Sequence, residues 1–316
     1  MIYKELLSDY FDISPNDVRE IKGGWSAKAY RVESANNMYF LKAYDKSLMS
    51  VQPWINRIGD YIPVLGWLSE TPELRGRIVK PVKSLNGDYK IEMQNHVFLL
   101  FDYVTGDTPG KNGLTCRQLA ELAEILALLH CFDEHAPCDT SGLHEDISLD
   151  FCIKLERYLS AAEERDELSR LVFKEADILH SAIDKTIWLR DTVRLNAQPI
   201  VLCHADAHKY NVIQSRRLVL ADWEDLRLAP AESDLFMYAL DPNWNEFLNA
   251  YKSIRHDFHI NIDLLNFYLI RRRLDDIWAD ISRILYDNPS KDETLHCYEL
   301  LKVSFSETRQ LLNLLN

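Results

Sequence analysis

The chain has 316 residues, 47% of them apolar and 27% charged, a globular balance that excludes a disordered or collagen-like chain. Its net charge of −13 argues against nucleic-acid binding, which needs clustered Lys and Arg against phosphate. Apolar runs such as 97–101 are far shorter than the roughly 20 residues of a membrane span, and acids stand where a signal peptide keeps its apolar stretch. The expectation is a cytoplasmic protein with no membrane or nucleic-acid partner. Six cysteines without a CxxC pair are expected to be buried free thiols.

The first hundred residues read as strands with one or two helices. Residues 18–21 lead into Gly23-Gly24. Residues 29–33 and 38–44 alternate around Asn36-Asn37, a hairpin signal. Residues 52–69 read as a helix with Pro53 near its start. Residues 78–82, 89–93 and 96–103 read as strands, with Asn86-Gly87 as a tight turn. The segment 104–113 is rich in Gly, Thr and Pro and reads as a linker. Helical spacing begins at Thr115, and helices are expected near 150–160, 164–190, 230–254, 262–286 and 292–314. A β-rich island at 200–203, 211–213 and 218–221 interrupts them. The expected architecture is α+β: a β-rich lobe over 1–103, a hinge over 104–113, and a helical lobe over 114–316.

The chemistry concentrates in that island. One strand delivers His204, Asp206, His208 and Asn211 into a loop, and a second delivers Asp222. An Asp followed five positions later by an Asn has the spacing of a kinase catalytic loop, where the Asp takes the hydroxyl proton and the Asn holds magnesium. An Asp on a neighbouring strand end supplies the second oxygen ligand. Upstream, Gly23-Gly24-Trp25-Ser26 joins two strands as a phosphate-covering loop would. Lys42 lies on the third strand, where kinase-type folds place the phosphate-contacting lysine. The backbone around Asp102, Tyr103 and Val104 would bond adenine, at the hinge. A competing reading takes His204-x-Asp206-x-His208 as the ligand set of a metal-dependent hydrolase, since alternate strand residues share a face.

These motifs resemble the aminoglycoside phosphotransferase family, small-molecule kinases with a protein-kinase-like fold. The resemblance runs from GGWSAKAYRV (23–32) through YFLK (39–42), FLLFDYVTG (98–106) and CHADAHKYN (203–211) to LADWED (220–225) and APAESDL (229–235). The family loop reads His-Gly-Asp-Leu-His-Pro-Gly-Asn; here Ala205, Lys209 and Tyr210 replace Gly, Pro and Gly. The resemblance implies an ATP-dependent O-phosphotransferase, with GTP as an alternative donor and Mg²⁺ as cofactor. Asp206 and His204 would be catalytic, Asn211 and Asp222 would hold the metal, and Gly23, Gly24, Ser26 and Lys42 the phosphates. Asp60 is the nearest helix acid to pair with Lys42. Asp234 resembles the family residue that braces the catalytic loop.

The whole charge excess falls after residue 103, which suggests a small cationic substrate. Glu224, Asp225, Asp241, Trp244, Asp276 and Trp278 are the candidate contacts, by ion pairing and by Trp faces. Alternatively, Asp275 and Asp276 pair with Arg271 to Arg273 on their own helix. The expected substrate is an aminoglycoside or aminocyclitol such as spectinomycin. Kinases of choline, homoserine or methylthioribose type remain alternatives, as does an inactive nucleotide-binding module. The expected state is monomer or homodimer.

Overall fold

In the computed structural model, which describes residues 2–21, 26–161, 166–287 and 289–315, the alternating residues of the N-terminal part form a five-stranded antiparallel sheet. Its strands are β1 (Pro15–Ile21), β2 (Lys28–Ser34), β3 (Met38–Asp45), β4 (Lys90–Met93) and β5 (His96–Asp102), in the order β1-β2-β3-β5-β4. The β2–β3 hairpin turns at Asn36-Asn37, closed by the Ser34 N–H donating to Asn37 O at 2.9 Å. Period-two alternation sends Leu41 and Ala43 to one face, where they pack with Tyr30, Val32, Phe98 and Leu100. Helix α1 (Ile2–Phe11) covers that face with Leu6, Leu7 and Phe11. This helix lies outside the elements expected from the sequence. Lys42 and Tyr44 take the opposite face, under α2 (Gln52–Leu68).

Residues 78–82 are not a strand. They make only isolated bridges, Ile78 to Leu220 and Pro81 to Phe101, because Pro81 has no N–H to continue a ladder. The linker is held down rather than free. Asp107 and Gln214 exchange backbone hydrogen bonds at 2.8 and 3.3 Å. Gly106 sits so close that a Cβ there would lie 2.3 Å from the Gln214 carbonyl oxygen.

Beyond the linker, α3 (Cys116–Leu129) starts at a capping box formed by Thr115 and Gln118. The β-rich island is two short antiparallel pairs. One joins β6 (Val201–Cys203) to β9 (Arg227–Ala229), and the other joins β7 (Val212–Gln214) to β8 (Leu218–Leu220). The helices α4 (Asp150–Ala161), α5 (Glu167–Phe173), α6 (Ala176–Thr192), α7 (Glu232–Leu235), α8 (Trp244–Lys252), α9 (Ile262–Tyr286) and α10 (Lys291–Leu315) complete the chain. The helix expected at 164–190 divides into α5 and α6 at Lys174-Glu175. That expected at 230–254 is interrupted at 239–243, where Pro242 and the Asp241 turn stop it.

Contacts gather the chain into two units. The first contains Met1–His144, Ile200–Asp234 and Leu240–Phe258; the second contains Glu145–Pro199, Leu235–Ala239 and His259–Asn316. The five-stranded sheet, the linker, the island, α3 and α8 therefore share one unit, and α4–α6, α9 and α10 form the other. All six cysteines are free, but only Cys152, Cys203 and Cys297 are buried, so the expectation of buried thiols holds for half of them. Among the described residues, no helix is long and apolar enough to cross a membrane.

Within the second unit, Asp280 of α9 faces Cys297 of α10, with Asp276 and Arg283 nearby. Burial, reinforced by the Asp276 charge, pushes its carboxyl from the ordinary 3.8 up to about 7. The folded chain thus holds a proton there that the unfolded chain has already released. This contribution to stability is present at low pH and is lost as pH rises through that window. Asp280→Asn is expected to raise the melting temperature more at pH 8 than at pH 5. Equal shifts at the two pH values would exclude this linkage.

Candidate active site

The loop over 204–211 hangs from one buried carboxylate. Asp234, in α7, accepts the His204 N–H at 2.8 Å through Oδ2 and the Ala205 N–H through Oδ1. Its Oδ2 also lies 2.9 Å from His130 Nε2, and His130 Nδ1 meets the Tyr251 hydroxyl at 2.8 Å. Asp234 and His130 are fully buried. Burial alone would raise the Asp234 carboxyl, but the hydrogen bond and charge of His130, with the His204 bond, hold it below the usual range. The brace expected of Asp234 is thus present as geometry. His130 was not legible as part of it, since a histidine ending an apolar helix carries no signal of a partner 104 positions away.

His204 does not face a substrate. Its ring is buried; Nδ1 accepts the Asp206 N–H at 3.2 Å and Nε2 donates to Ala221 O at 3.0 Å. Burial lowers its pKa, against the pull of the Asp234 and Asp206 charges. This corrects its assignment as a catalytic residue: it is a positioning residue that ties the loop to the end of β8. It also removes the hydrolase triplet, because neither ring nitrogen is left to ligate a metal. Ala205 and Asp222 both adopt left-handed backbone, with φ of +62° and +66°.

Asp206 and Asn211 meet as their spacing suggested. Asn211 Nδ2 donates to Asp206 O at 2.9 Å and to Asp206 Oδ2 at 2.8 Å, and His208 Nε2 lies 3.6 Å from the same carboxylate oxygen. The Ala221 N–H donates to Asn211 O at 2.8 Å, which fixes the loop beside the strand that delivers Asp222. Asp222 keeps 33% of its side chain accessible. With the amide nitrogen of Asn211 committed to Asp206, its side-chain carbonyl oxygen remains to pair with the Asp222 carboxylate. Oxygen donors of this kind fit a hard divalent cation such as Mg²⁺.

Lys42 reaches this centre from β3. Its Nζ lies 2.6 Å from Asp222 Oδ1 and 2.6 Å from Glu224 Oε1. Burial alone would lower its pKa, but the two carboxylates outweigh burial and raise it. In turn Lys42 holds Asp222 below the usual carboxylate range despite its partial burial. Tyr44, two residues on and therefore on the same face of β3, donates its hydroxyl to Glu224 Oε1. Asp60 is not the partner of Lys42. It lies on the exposed face of α2 against Gly142, where a Cβ would come within 2.5 Å of its carboxylate, and α2 instead presents buried Tyr61 to the lysine.

Several expected contacts are otherwise engaged. Glu224 is buried on Lys42 and Tyr44, so it is no surface ligand for a cation. Asp225 pairs with Arg57 at 3.2 Å and Arg227 at 2.5 Å. Asp241 closes its own turn by accepting from Asn243 N at 2.8 Å, and Trp244 stacks on Phe247. Asp276 pairs within α9, with Arg272 at 2.8 Å and Arg273 at 3.9 Å, as the alternative reading had it for this helix. Trp278 is half-buried on α9, in the other unit. At the hinge, Asp102 N–H donates to Lys80 O at 2.9 Å and Tyr103 N–H to Met38 O at 3.2 Å, so neither is a donor for a base. Ser26 is a half-buried bend residue two positions before β2, and Gly23 and Gly24 lie outside the described residues.

The fold is shared with solved kinases of small molecules. A spectinomycin phosphotransferase in complex with ADP and spectinomycin superposes with a TM-score of 0.74 at 18% identity, over 98% of this chain and 97% of that one. A microcompartment-associated aminopropanol kinase gives a TM-score of 0.66 at 16% identity, over 99% and 97%. An aminoglycoside phosphotransferase with AMP-PNP and hygromycin B gives 0.62 at 12%, over 98% and 97%. No curated protein sequence matches the chain significantly. The sequence profile of the phosphotransferase enzyme family matches residues 17–260, most of the chain. With a kinase-type Asp–Asn loop, a strand-end Asp and a strand Lys drawn together on a fold of that kind, the chain belongs to the phosphotransferase enzyme family.

Proposed function

We propose that this protein is an ATP-dependent O-phosphotransferase whose acceptor is a hydroxyl of a small cationic molecule of the aminoglycoside or aminocyclitol type. The observation that carries this reading is the convergence of Asp206, Asn211, Asp222 and Lys42 within one unit. Asp206 would orient the acceptor hydroxyl and take its proton. Asn211 and Asp222 would hold Mg²⁺, which when bound neutralises charge on the transferring phosphoryl group. Lys42 would steady the phosphates. The N–H of Val104 is the donor that the 102–104 segment would offer adenine, since those of Asp102 and Tyr103 bond within the protein. Residues 1–103 would then serve as the nucleotide lobe, 104–113 as the hinge and 114–316 as the catalytic and substrate lobe.

Support for the donor comes from relatives that contain ADP, AMP or AMP-PNP. Support for the acceptor comes from relatives bound to spectinomycin and hygromycin B and from the acid excess of the chain. Ion pairing of Asp225 and Asp276 removes two of the acids expected to capture the cation. A second reading, a metabolic kinase of a small amino alcohol, is favoured by the similarity to an aminopropanol kinase. A phosphorylation screen over aminocyclitols, aminoglycosides, small amino alcohols and neutral sugars, with ATP and GTP compared, separates the two. KM for the preferred amine is expected to rise with ionic strength. Equal turnover of neutral sugars would exclude a cationic acceptor.

Asp206→Asn is expected to lower kcat by about 10²–10⁴-fold while leaving nucleotide affinity nearly unchanged, because the carboxylate acts on the hydroxyl in the transition state. Steady-state kinetics with parallel calorimetry checks this. More than a third of wild-type turnover would remove Asp206 from the mechanism.

A further inference from the structure

Two carboxylates share one lysine, and they are not equivalent. Glu224 is 9% accessible and Asp222 33%. A single oxygen of Glu224 accepts both the Lys42 ammonium and the Tyr44 hydroxyl. Tyr61 of α2 packs into the same cluster, hydrogen-bonded to Tyr44. Among the described residues, no tyrosine hydroxyl holds Asp222 as Tyr44 holds Glu224, and the Asp222 backbone is left-handed. Both acids come from the segment after β8, whereas α2 contributes only a phenol.

We infer that Glu224 is the residue that positions Lys42 for nucleotide phosphates, in the place where a helix acid would otherwise stand, and that Asp222 is its exchangeable partner. The inference rests on the proposed role of Lys42 at the phosphates. Two carboxylates more than offset the single ammonium, leaving negative charge in excess, and Asp222 is the acid that a divalent cation would claim. When Asp222 turns to a cation, Glu224, itself held by Tyr44, keeps the ammonium in place on this face of β3 for the phosphates. The position of Lys42 then does not depend on how α2 is set.

The two acids are distinguished by the sign of their effect on nucleotide binding without metal. ATP binding to the full-length protein in excess chelator, followed by calorimetry, is the measurement. Loss of a negative charge beside a triphosphate tightens binding if charge is all that matters. Asp222→Asn is therefore expected to tighten metal-free ATP by several-fold, since it also frees Lys42. Glu224→Gln is expected to weaken it by at least fivefold, because the lysine loses its anchor. Lys42→Met is expected to weaken it at least as much, and the Lys42→Met/Glu224→Gln double variant no further than Lys42→Met alone. Tyr44→Phe, which changes no charge, is expected to weaken binding in the direction of Glu224→Gln, and it carries the test if Glu224→Gln does not fold. Metal-free binding as tight as wild type in Glu224→Gln or in Tyr44→Phe overturns the inference. Unchanged binding in Lys42→Met overturns instead the role of Lys42 on which it rests.

Discussion

The loop that carries Asp206 and Asn211 depends on the dehydrated carboxylate of Asp234. A carboxylate taken wholly out of water is costly unless its lone pairs are filled. Here two consecutive backbone N–H groups, of His204 and Ala205, and the ring of His130 fill them. The loop is thereby fixed to the α3 and α8 helices, because His130 caps α3 and Tyr251 belongs to α8. Removing one member of a buried ionic cluster costs about 3–5 kcal/mol, since the others remain buried and unpaired. The geometry of Asp206 therefore rests on buried side chains outside its own loop.

What the sequence made legible was the proximity that spacing imposes. Asp206 and Asn211 are five apart in one loop, and their hydrogen bond follows from that local geometry. Lys42 was legible from its place on the third strand. What spacing does not encode is which distant side chain fills the other half of a pair. The partner of Lys42 was sought on α2 and is instead Glu224, 182 positions away. Asp60 is on the right helix but on its exposed face, and Tyr61, one residue later, takes the buried face. His204 was misread for a related reason. A polar residue in a conspicuous motif looks catalytic, yet its ring bonds only backbone groups.

The acidic excess of the chain shows the same limit. Counting carboxylates after residue 103 suggests a surface that collects cations. Pair by pair, many of those carboxylates already have one: Asp225 has two arginines, Asp276 has two, and Glu145 has Arg271. Such acids contribute to the far field but not as ready-made ligands. On the proposed reading, capture of a cationic acceptor would work through the summed field, which salt screens, more than through a dedicated pair.

The backbone adds a constraint of its own at both ends of the site. Ala205 immediately precedes Asp206, and Asp222 ends the second strand pair; both are left-handed without being glycine. Each such residue costs about 1–2 kcal/mol, so the surroundings must enforce the conformation. At Ala205 the enforcement is the Asp234 hydrogen bond to its own N–H. At Asp222 it is the preceding Ala221, whose N–H is held by Asn211 and whose carbonyl is held by His204. The turn at each place redirects the chain just where a carboxylate must leave the strand direction. A glycine before Asp206 would adopt this turn freely. The alanine here means that the brace, more than local preference, sets where the carboxylate points.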